Sequence, residues 1–317
     1  MVPRRFRIEP IRILVTGAAG FIGKHLTRRL HDTGCYVISI DLPPLEAKDI
    51  PYAPKPGKVF SADITNLADL QEITKTEHFD SVVHLAALAA PRVIEKDPDS
   101  IFKVNVQGTY NILKIAQHAN AQRIIFTSTA HVYGISPKYF PTDETHPLTL
   151  QDAYTSSKII GEQLCELFYR NHNMSYAALR LYNGYGPGQS RDYFIPAIIY
   201  QAMKDQHIVL QGRKITKDFV YVDDVVDAII RALKSDYVGP LNIGTGRQVS
   251  LEYVARQIAD TLHASLSFAE TEDKGPTHMQ CDPTRTRSTL GWMPQIPIEK
   301  GLAKTITDHA SLIKERL

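Results

Sequence analysis

Tyr154 and Lys158 lie four residues apart, a spacing that places both side chains on one face of a helix. A phenol beside an ammonium group is a proton-transfer pair. Free tyrosine titrates at about 10 and is a poor base at neutral pH, but a neighbouring cation favours the phenolate and brings it into working range. Ordinary surface pairs show the same spacing, so the chemistry needs further groups. Thr127-Ser128-Thr129-Ala130-His131-Val132-Tyr133-Gly134 supplies them at the end of a strand expected over 123–128. Hydroxyls at such a strand end point into the crevice where doubly wound sheets bind ligands.

A second constellation concerns what is bound there. Gly17-Ala18-Ala19-Gly20-Phe21-Ile22-Gly23 follows the apolar residues Ile13, Leu14 and Val15. A helix amino terminus presents unpaired N–H groups and partial positive charge, and glycines at Gly17, Gly20 and Gly23 let a pyrophosphate approach that backbone. Glycine triplets also make plain strand-to-helix turns. Here a further β-rich run, 36–40, ends at Asp41, about twenty residues on, where a carboxylate accepts both ribose hydroxyls and repels a 2′-phosphate. NAD is therefore expected in preference to NADP. Asp63, followed by Ile64, is expected at the end of the next strand, where it either receives the adenine amino group or caps the helix that begins near Asn66. Leu85, Ala86 and Ala87 close another strand, their small side chains letting a flat cofactor lie against the sheet. His84, just before them, reads as a buried, hydrogen-bonded core histidine.

The elements that must position these groups alternate along the chain. Strands are expected at 12–15, 36–40, 81–85, 123–128 and 175–181, and helices at 22–32, 101–118 and 153–171, the rhythm of a parallel sheet covered on both faces. The proline-rich stretch 42–58 reads as a surface loop. The fold class is α/β, a doubly wound parallel sheet (Rossmann) with a smaller α/β substrate-binding domain towards the carboxyl terminus. After Arg180 a glycine-rich break, Asn183 to Gly188, precedes a helix at 195–204 and a strand at 207–210. Runs at 219–222 and 240–243 read as strands returning to the main sheet, so the division is discontinuous: 11–182 with 218–244, and 183–217 with 245–317. Closing helices are expected at 251–262 and 298–313.

Composition narrows the function classes. Thirty-six Lys and Arg against thirty-four Asp and Glu, with 43% hydrophobic residues among 317, describe a globular chain with no bulk charge to attract nucleic acid or an anionic membrane. The three cysteines, Cys35, Cys165 and Cys281, show no metal-ligand spacing, and a reducing cytoplasm suits them. Residues 1–10 form a short basic arm without an apolar segment of signal-peptide length, and no apolar run is long enough to span a bilayer.

Taken in order, the glycine turn, Asp41, Leu85-Ala86-Ala87, Asn105, Thr129 to Gly134, Tyr154 with Lys158, Arg180 to Asn183 and Asp218 to Asp224 resemble the NAD-dependent sugar-nucleotide epimerases among the extended short-chain dehydrogenases/reductases. The likeness covers nearly the whole chain. It implies a Thr129/Tyr154/Lys158 triad in which Tyr154 takes the proton of a sugar 4-hydroxyl, Lys158 lowers the tyrosine pKa and binds the nicotinamide ribose, and Thr129 orients the hydroxyl. It also implies cofactor contacts at Phe21, Ile22, Asn105 and Ser128. Hydride leaves C4 for NAD and returns to the other face of a 4-keto intermediate, giving epimerisation. Dehydratases of this group carry Asp-Glu after the triad hydroxyl and decarboxylases a glutamate nearby; Ala130-His131 stands here instead. The substrate implied is a UDP-hexose or UDP-uronic acid, with contacts at Asn183, Ile195, Val209 and Gln211 and the diphosphate held by Lys217 and Lys274. Each lysine offers a point charge where relatives use arginine. Arg213, Arg191 and Arg285 are the candidates to compensate, and Met279 falls at the position that gates sugar size. A reductase or dehydrogenase of 4-keto sugar nucleotides is the alternative, and a non-catalytic NAD-binding protein a third reading. The resemblance further implies a homodimer through helices 101–118 and 153–171.

Overall fold

Five apolar runs spaced by helical stretches account for most of the main sheet. The computed structural model describes residues 11–42, 57–89, 97–269 and 278–314; the predicted arm 1–10, most of the proline-rich loop and Lys274 lie outside these. Strands β1 (Arg12–Thr16), β2 (Tyr36–Asp41), β3 (Gly57–Ser61), β4 (Ser81–His84), β5 (Arg123–Thr129), β6 (Ser175–Leu181) and β11 (Gly239–Ile243) form one seven-stranded sheet in the order β11-β6-β5-β4-β1-β2-β3. Every pairing in it is parallel. Both faces are covered, as parallel sheets require. Leu14, Val82, Ile124 and Phe126 pack on one side, and Ile13, Val15, Val83 and Ile125 on the other, so alternate residues of the same strands feed two cores.

Because all strands run the same way, their carboxyl ends share one edge. The strand order reverses between β1 and β4, which opens a crevice at that edge. The glycine turn follows β1 into helix α1 (Phe21–Asp32), Asp41 ends β2, Leu85 follows β4 and Thr129 ends β5. The edge thus collects four sequence-distant segments.

Helix α2 (Leu67–Thr76) is capped by Asn66, whose side chain accepts from Ala68 N. The helix expected over 101–118 is interrupted: α3 (Pro98–Phe102) runs into a π-helical turn (Lys103–Gly108) and then α4 (Thr109–His118). Helix α5 (Ala153–His172) starts from Asp152, whose carboxylate accepts from Thr155 N at 2.7 Å. It ends at Asn173 in the left-handed conformation, φ 55°.

Beyond β6, short strand β7 (Asn183–Tyr185) pairs in parallel with β10 (Phe219–Tyr221). The run at 219–222 therefore does not return to the main sheet as expected; of the two runs, only β11 does. Asp218 explains the departure. Its buried carboxylate accepts from Thr245 N and Oγ1, Gly246 N and Cys281 N, so the chain is tied to a loop before it can reach the sheet. Helix α6 (Phe194–Asp205), strand β8 (His207–Leu210), β9 (Thr216–Lys217), helix α7 (Val222–Lys234), β12 (Val249–Ser250), helix α8 (Leu251–Leu262), β13 (Ser265–Phe268), helix α9 (Thr284–Leu290) and helix α10 (Ile298–Lys314) complete the chain. Ile195, Ile199, Ile208, Tyr221, Val254 and Leu302 build a separate apolar cluster there.

Helix α5 approaches β5 closely because Gly161 has no side chain: a Cβ at that position would overlap the Phe126 ring. Gly161→Ala should destabilise the protein by about 1–3 kcal/mol through overpacking, measured by urea unfolding, and Phe126→Leu in the same chain should recover part of the loss. An unchanged unfolding midpoint for Gly161→Ala would show that the helix does not depend on this contact.

Candidate active site

The glycine turn is built for close approach. Gly17 has φ +68°, and a Cβ there would stand 2.7 Å from Ala86 N, so any larger residue would push the turn off the β4 end. A Cβ on Gly23 would collide with the Gly17 carbonyl oxygen. Gly20 caps α1 without a side-chain hydrogen bond, and the first turn, from Phe21 and Ile22 onward, carries no acid. The helix end therefore keeps free N–H groups and an uncompensated positive dipole, which suits a pyrophosphate. Asp41 is fixed beside it, one oxygen accepting from Ala19 N at 2.8 Å and the other from Leu42 N at 2.8 Å. These residues fit a dinucleotide with an unphosphorylated ribose.

The rest of the crevice wall is pinned from behind. Asp63 lies two residues beyond the end of β3, and its carboxylate accepts from Thr65 N; the cap of α2 is Asn66, so Asp63 is not the helix cap. Ile64 buries its side chain against Gly108 and gives its carbonyl to Asn111 Nδ2. Leu85 N and Ala86 N bond to Thr16, and Ala87 follows them, partly exposed. Asn105, presented by the π turn, exchanges two bonds with the Leu88 backbone and donates to Ser157 Oγ at 3.0 Å. Its amide thus joins the segment after β4 to helix α5. His84 is a core histidine, held between Thr16 Oγ1 at 2.7 Å and Thr109 Oγ1 at 3.0 Å.

Tyr154, Thr129 and Lys158 converge. The Thr129 hydroxyl lies close enough to the Tyr154 phenol to act on its ionisation, and it accepts from His131 N at 3.2 Å. The Lys158 ammonium donates to Thr127 O at 2.8 Å, 5.0 Å from the Phe126 ring centre and 5.9 Å from that of Tyr154. Burial brings the Lys158 pKa down to about 8. Tyr154 differs from expectation: burial, with Tyr193 and Asp152 adding to it, pushes the phenol above 10 despite the opposing effect of the nearby Thr129 hydroxyl. Lys158 does not offset this: its ammonium donates to Thr127 O and stands 5.9 Å from the Tyr154 ring centre. The phenol is protonated at neutral pH.

Ser128 faces the other way, as strand alternation demands. Its hydroxyl donates to Glu162 Oε1 at 2.5 Å, inside a buried network, instead of pointing into the crevice. Glu162 is paired with Arg180 through two bonds of 3.0 and 2.7 Å. Arg180 also donates to Tyr133 Oη at 3.0 Å, Tyr133 donates to Asn242 Oδ1 at 2.6 Å, and Asn242 N donates to Glu144 Oε1 at 2.7 Å. Glu162 and Glu144 escape a sequence reading because no local pattern marks a buried carboxylate; the one available signal is that Glu162 continues the i, i+4 series of Tyr154 and Lys158.

At the end of the crevice away from the glycine turn the predicted residues separate. Asn183 donates to Asp218 O and stands 3.9 Å from Met279 Sδ, and Lys217 Nζ lies 3.5 Å from the same sulfur. Lys217, Asn183 and Met279 are thus brought together. Burial lowers the Lys217 pKa to about 8. His131, ignored as a group with a role of its own, lies within electrostatic reach of Lys217; burial and then that cation pull it down to about 4, so it is neutral at pH 7. Val209 and Gln211 are exposed on and after β8, whereas Ile195 is buried in the apolar cluster and offers no side chain to a ligand. The three compensating arginines are engaged elsewhere: Arg213 with Glu252 and the Phe268 ring, Arg191 over Tyr200, Arg285 with Glu144. Among the described residues no His/Cys/Asp/Glu group has the arrangement of a metal site.

His84 sets a pH dependence. Burial, reinforced by Lys158, lowers its pKa to about 3, below the unfolded value of about 6.5. Above pH ~6.5 neither state takes the proton; below it the unfolded chain does and the native chain does not, so stability should fall by about 1.4 kcal/mol per pH unit from this group. Urea unfolding of the wild type and of His84→Gln from pH 7.5 to 5 should show a shallower acid slope in the variant. Parallel slopes would mean that His84 takes up its proton in the native state.

A model of the NAD dependent epimerase/dehydratase family matches residues 13–244. UDP-glucose 4-epimerase of Mycolicibacterium smegmatis is 33% identical over 312 residues, covering 93% of this chain and 97% of its own. UDP-glucuronic acid decarboxylase 2 of Arabidopsis thaliana is 28% identical over 320 residues, 97% of this chain and 70% of its own. The crystal structure of UDP-glucose 4-epimerase from Thermotoga maritima with UDP-glucose superimposes with a TM-score of 0.88 at 27% identity, over 96% of this chain and 100% of that one. The Thermus thermophilus UDP-glucose 4-epimerase in complex with NAD gives 0.84 at 26% identity, over 95% and 99%. The glycine turn, Asp41 and the converging Thr129, Tyr154 and Lys158 thus sit in a chain that belongs to the NAD-dependent epimerase/dehydratase family, with NAD as its cofactor.

Proposed function

We propose that the protein is a sugar-nucleotide 4-epimerase, acting on a UDP-hexose or a UDP-uronic acid. The observation that carries this reading is the convergence of the Thr129 hydroxyl on the Tyr154 phenol, with Lys158 on the same helical face, in a site where Ala130 and His131 follow the hydroxyl. Tyr154 receives the proton of the sugar 4-hydroxyl, and Thr129 holds that hydroxyl and the ketone it becomes. Bound NAD+ supplies the hydride acceptor and a positive charge that favours the phenolate. Lys158 holds the end of β5 through Thr127 O and, in this reading, binds the nicotinamide ribose. No carboxylate follows Thr129, and His131 is neutral at pH 7, so the anionic base that elimination across C5 and C6 would need is missing at 130 and 131. Lys217 and Asn183 hold the diphosphate, and Met279 narrows the sugar pocket beside them.

The chain divides for this work into the segments 11–182 with 218–244, which hold the cofactor, and 183–217 with 245–317, which hold the nucleotide sugar. Phe102, Tyr110, Ile160 and Leu167 are exposed apolar residues on α3, α4 and α5. They support a homodimer joined through these helices. The near-neutral charge and unpaired cysteines support a cytoplasmic enzyme, and among the described residues no helix is long and apolar enough to cross a membrane.

Purified protein given UDP-glucose, UDP-galactose, UDP-glucuronate and UDP-galacturonate should convert one partner of a pair into the other without net NADH. Stoichiometric consumption of NADH or NADPH would replace this reading with a reductase. Tyr154→Phe should lower kcat by about 10²–10⁴-fold with NAD still bound, and full activity would remove the phenol from the mechanism. Lys217→Met should raise KM for the nucleotide sugar at least tenfold with a smaller change in kcat; an unchanged KM would place the diphosphate elsewhere.

A further inference from the structure

Three consecutive residues at the end of β5 meet three residues on one face of α5. Thr127 O accepts from Lys158, Ser128 donates to Glu162, and the Thr129 hydroxyl lies beside the Tyr154 phenol. Tyr154, Lys158 and Glu162 follow one another at i, i+4 and i+8. Two of these contacts belong to the triad; the third does not touch the crevice. Glu162 is 5% exposed, and its two oxygens take one bond from Ser128 and two from Arg180. Arg180 is itself held by Tyr133 and the Glu144 carbonyl. A fork of this kind fixes direction as well as distance. The carboxylate therefore cannot shift without moving either β6 or the residue next to Thr129.

We propose that Glu162 is a positioning residue for proton transfer, clamping Ser128 to helix α5 so that Tyr154 and Thr129 stay in register. The inference rests on the epimerase reading for its assay but not for its geometry, since any hydride chemistry that uses Tyr154 meets the same constraint. Glu162 also lies close enough to Lys158 for its negative charge to oppose the effect of burial on that ammonium. Burial alone would not keep the carboxylate here: an unpaired buried charge is costly, and Arg180 and Ser128 offset that cost.

The test uses the whole enzyme with NAD bound. In Glu162→Gln the side chain keeps its size and can still accept from Ser128, but it loses the charge that faces Arg180. In Ser128→Ala the ion pair stays and only the bond to the strand is lost. A misplacement of this order should lower kcat by about 10–100-fold in Glu162→Gln and by less in Ser128→Ala, with KM for the nucleotide sugar and retention of NAD unchanged. Reduction of bound NAD by the sugar in a single turnover, followed at the NADH absorbance, gives the decisive comparison. If Glu162 acts through the phenol, Glu162→Gln adds little further loss in a Tyr154→Phe background. The proposal is overturned if both single variants keep kcat within twofold of wild type, if a loss of kcat comes with a raised KM and a loss of NAD retention, or if the losses multiply in the double variant. Failure of the epimerase reading would look different: no nucleotide sugar would reduce bound NAD in the wild type.

Discussion

The seating of helix α5 on the end of strand β5 is the contact on which the active site depends. Gly161 brings the helix against Phe126, and Lys158, Glu162 and Tyr154 then engage Thr127, Ser128 and Thr129 in turn. The phenol and the hydroxyl come from segments about twenty-five residues apart, and neither has another reason to meet. Parallel strand order supplies the rest: with all carboxyl ends on one edge, the glycine turn after β1, Asp41 at the end of β2 and Thr129 at the end of β5 face a common crevice.

Charge in this site is controlled by burial more than by pairing. Lys158 and Lys217 are both drawn down to about 8, and His131 to about 4, each by withdrawal from water first. At neutral pH the two lysines are cations that titrate within reach of the working range, while the histidine is a neutral hydrogen-bonding group. Tyr154 is held protonated. A positive charge bound beside the phenol would oppose that effect of burial, as opposite charges do.

Much of this was legible in the sequence because the signals are local. Strand, glycine turn and helix follow one another around Gly17, and Tyr154 and Lys158 are one helical turn apart, so spacing alone places them. Helix 251–262 and strands 175–181 and 207–210 also fall where their periodicity puts them. What was not legible depends on contacts between distant residues. The π turn at Lys103–Gly108 presents Asn105 to Leu88 and Ser157, and no helical pattern announces it. The run at 219–221 has the apolar texture of a sheet strand, yet Asp218 is tied to Thr245, Gly246 and Cys281 and directs it to β7 instead. Ser128 and Ile195 carry the right residue types in the right stretches but face the core, and Arg213 is held by Glu252. Side-chain direction and the choice of ion-pair partner are properties of the packed chain.

The central claim is that hydride leaves C4 of a nucleotide sugar and returns to the same carbon while Tyr154 carries the proton. Turnover of a UDP-sugar bearing deuterium at C4, with the product examined by NMR and mass spectrometry, tests it directly. The account predicts inverted configuration at C4 with the deuterium retained there and no solvent hydrogen at C5. Loss of the label from C4, or solvent hydrogen at C5, would contradict it.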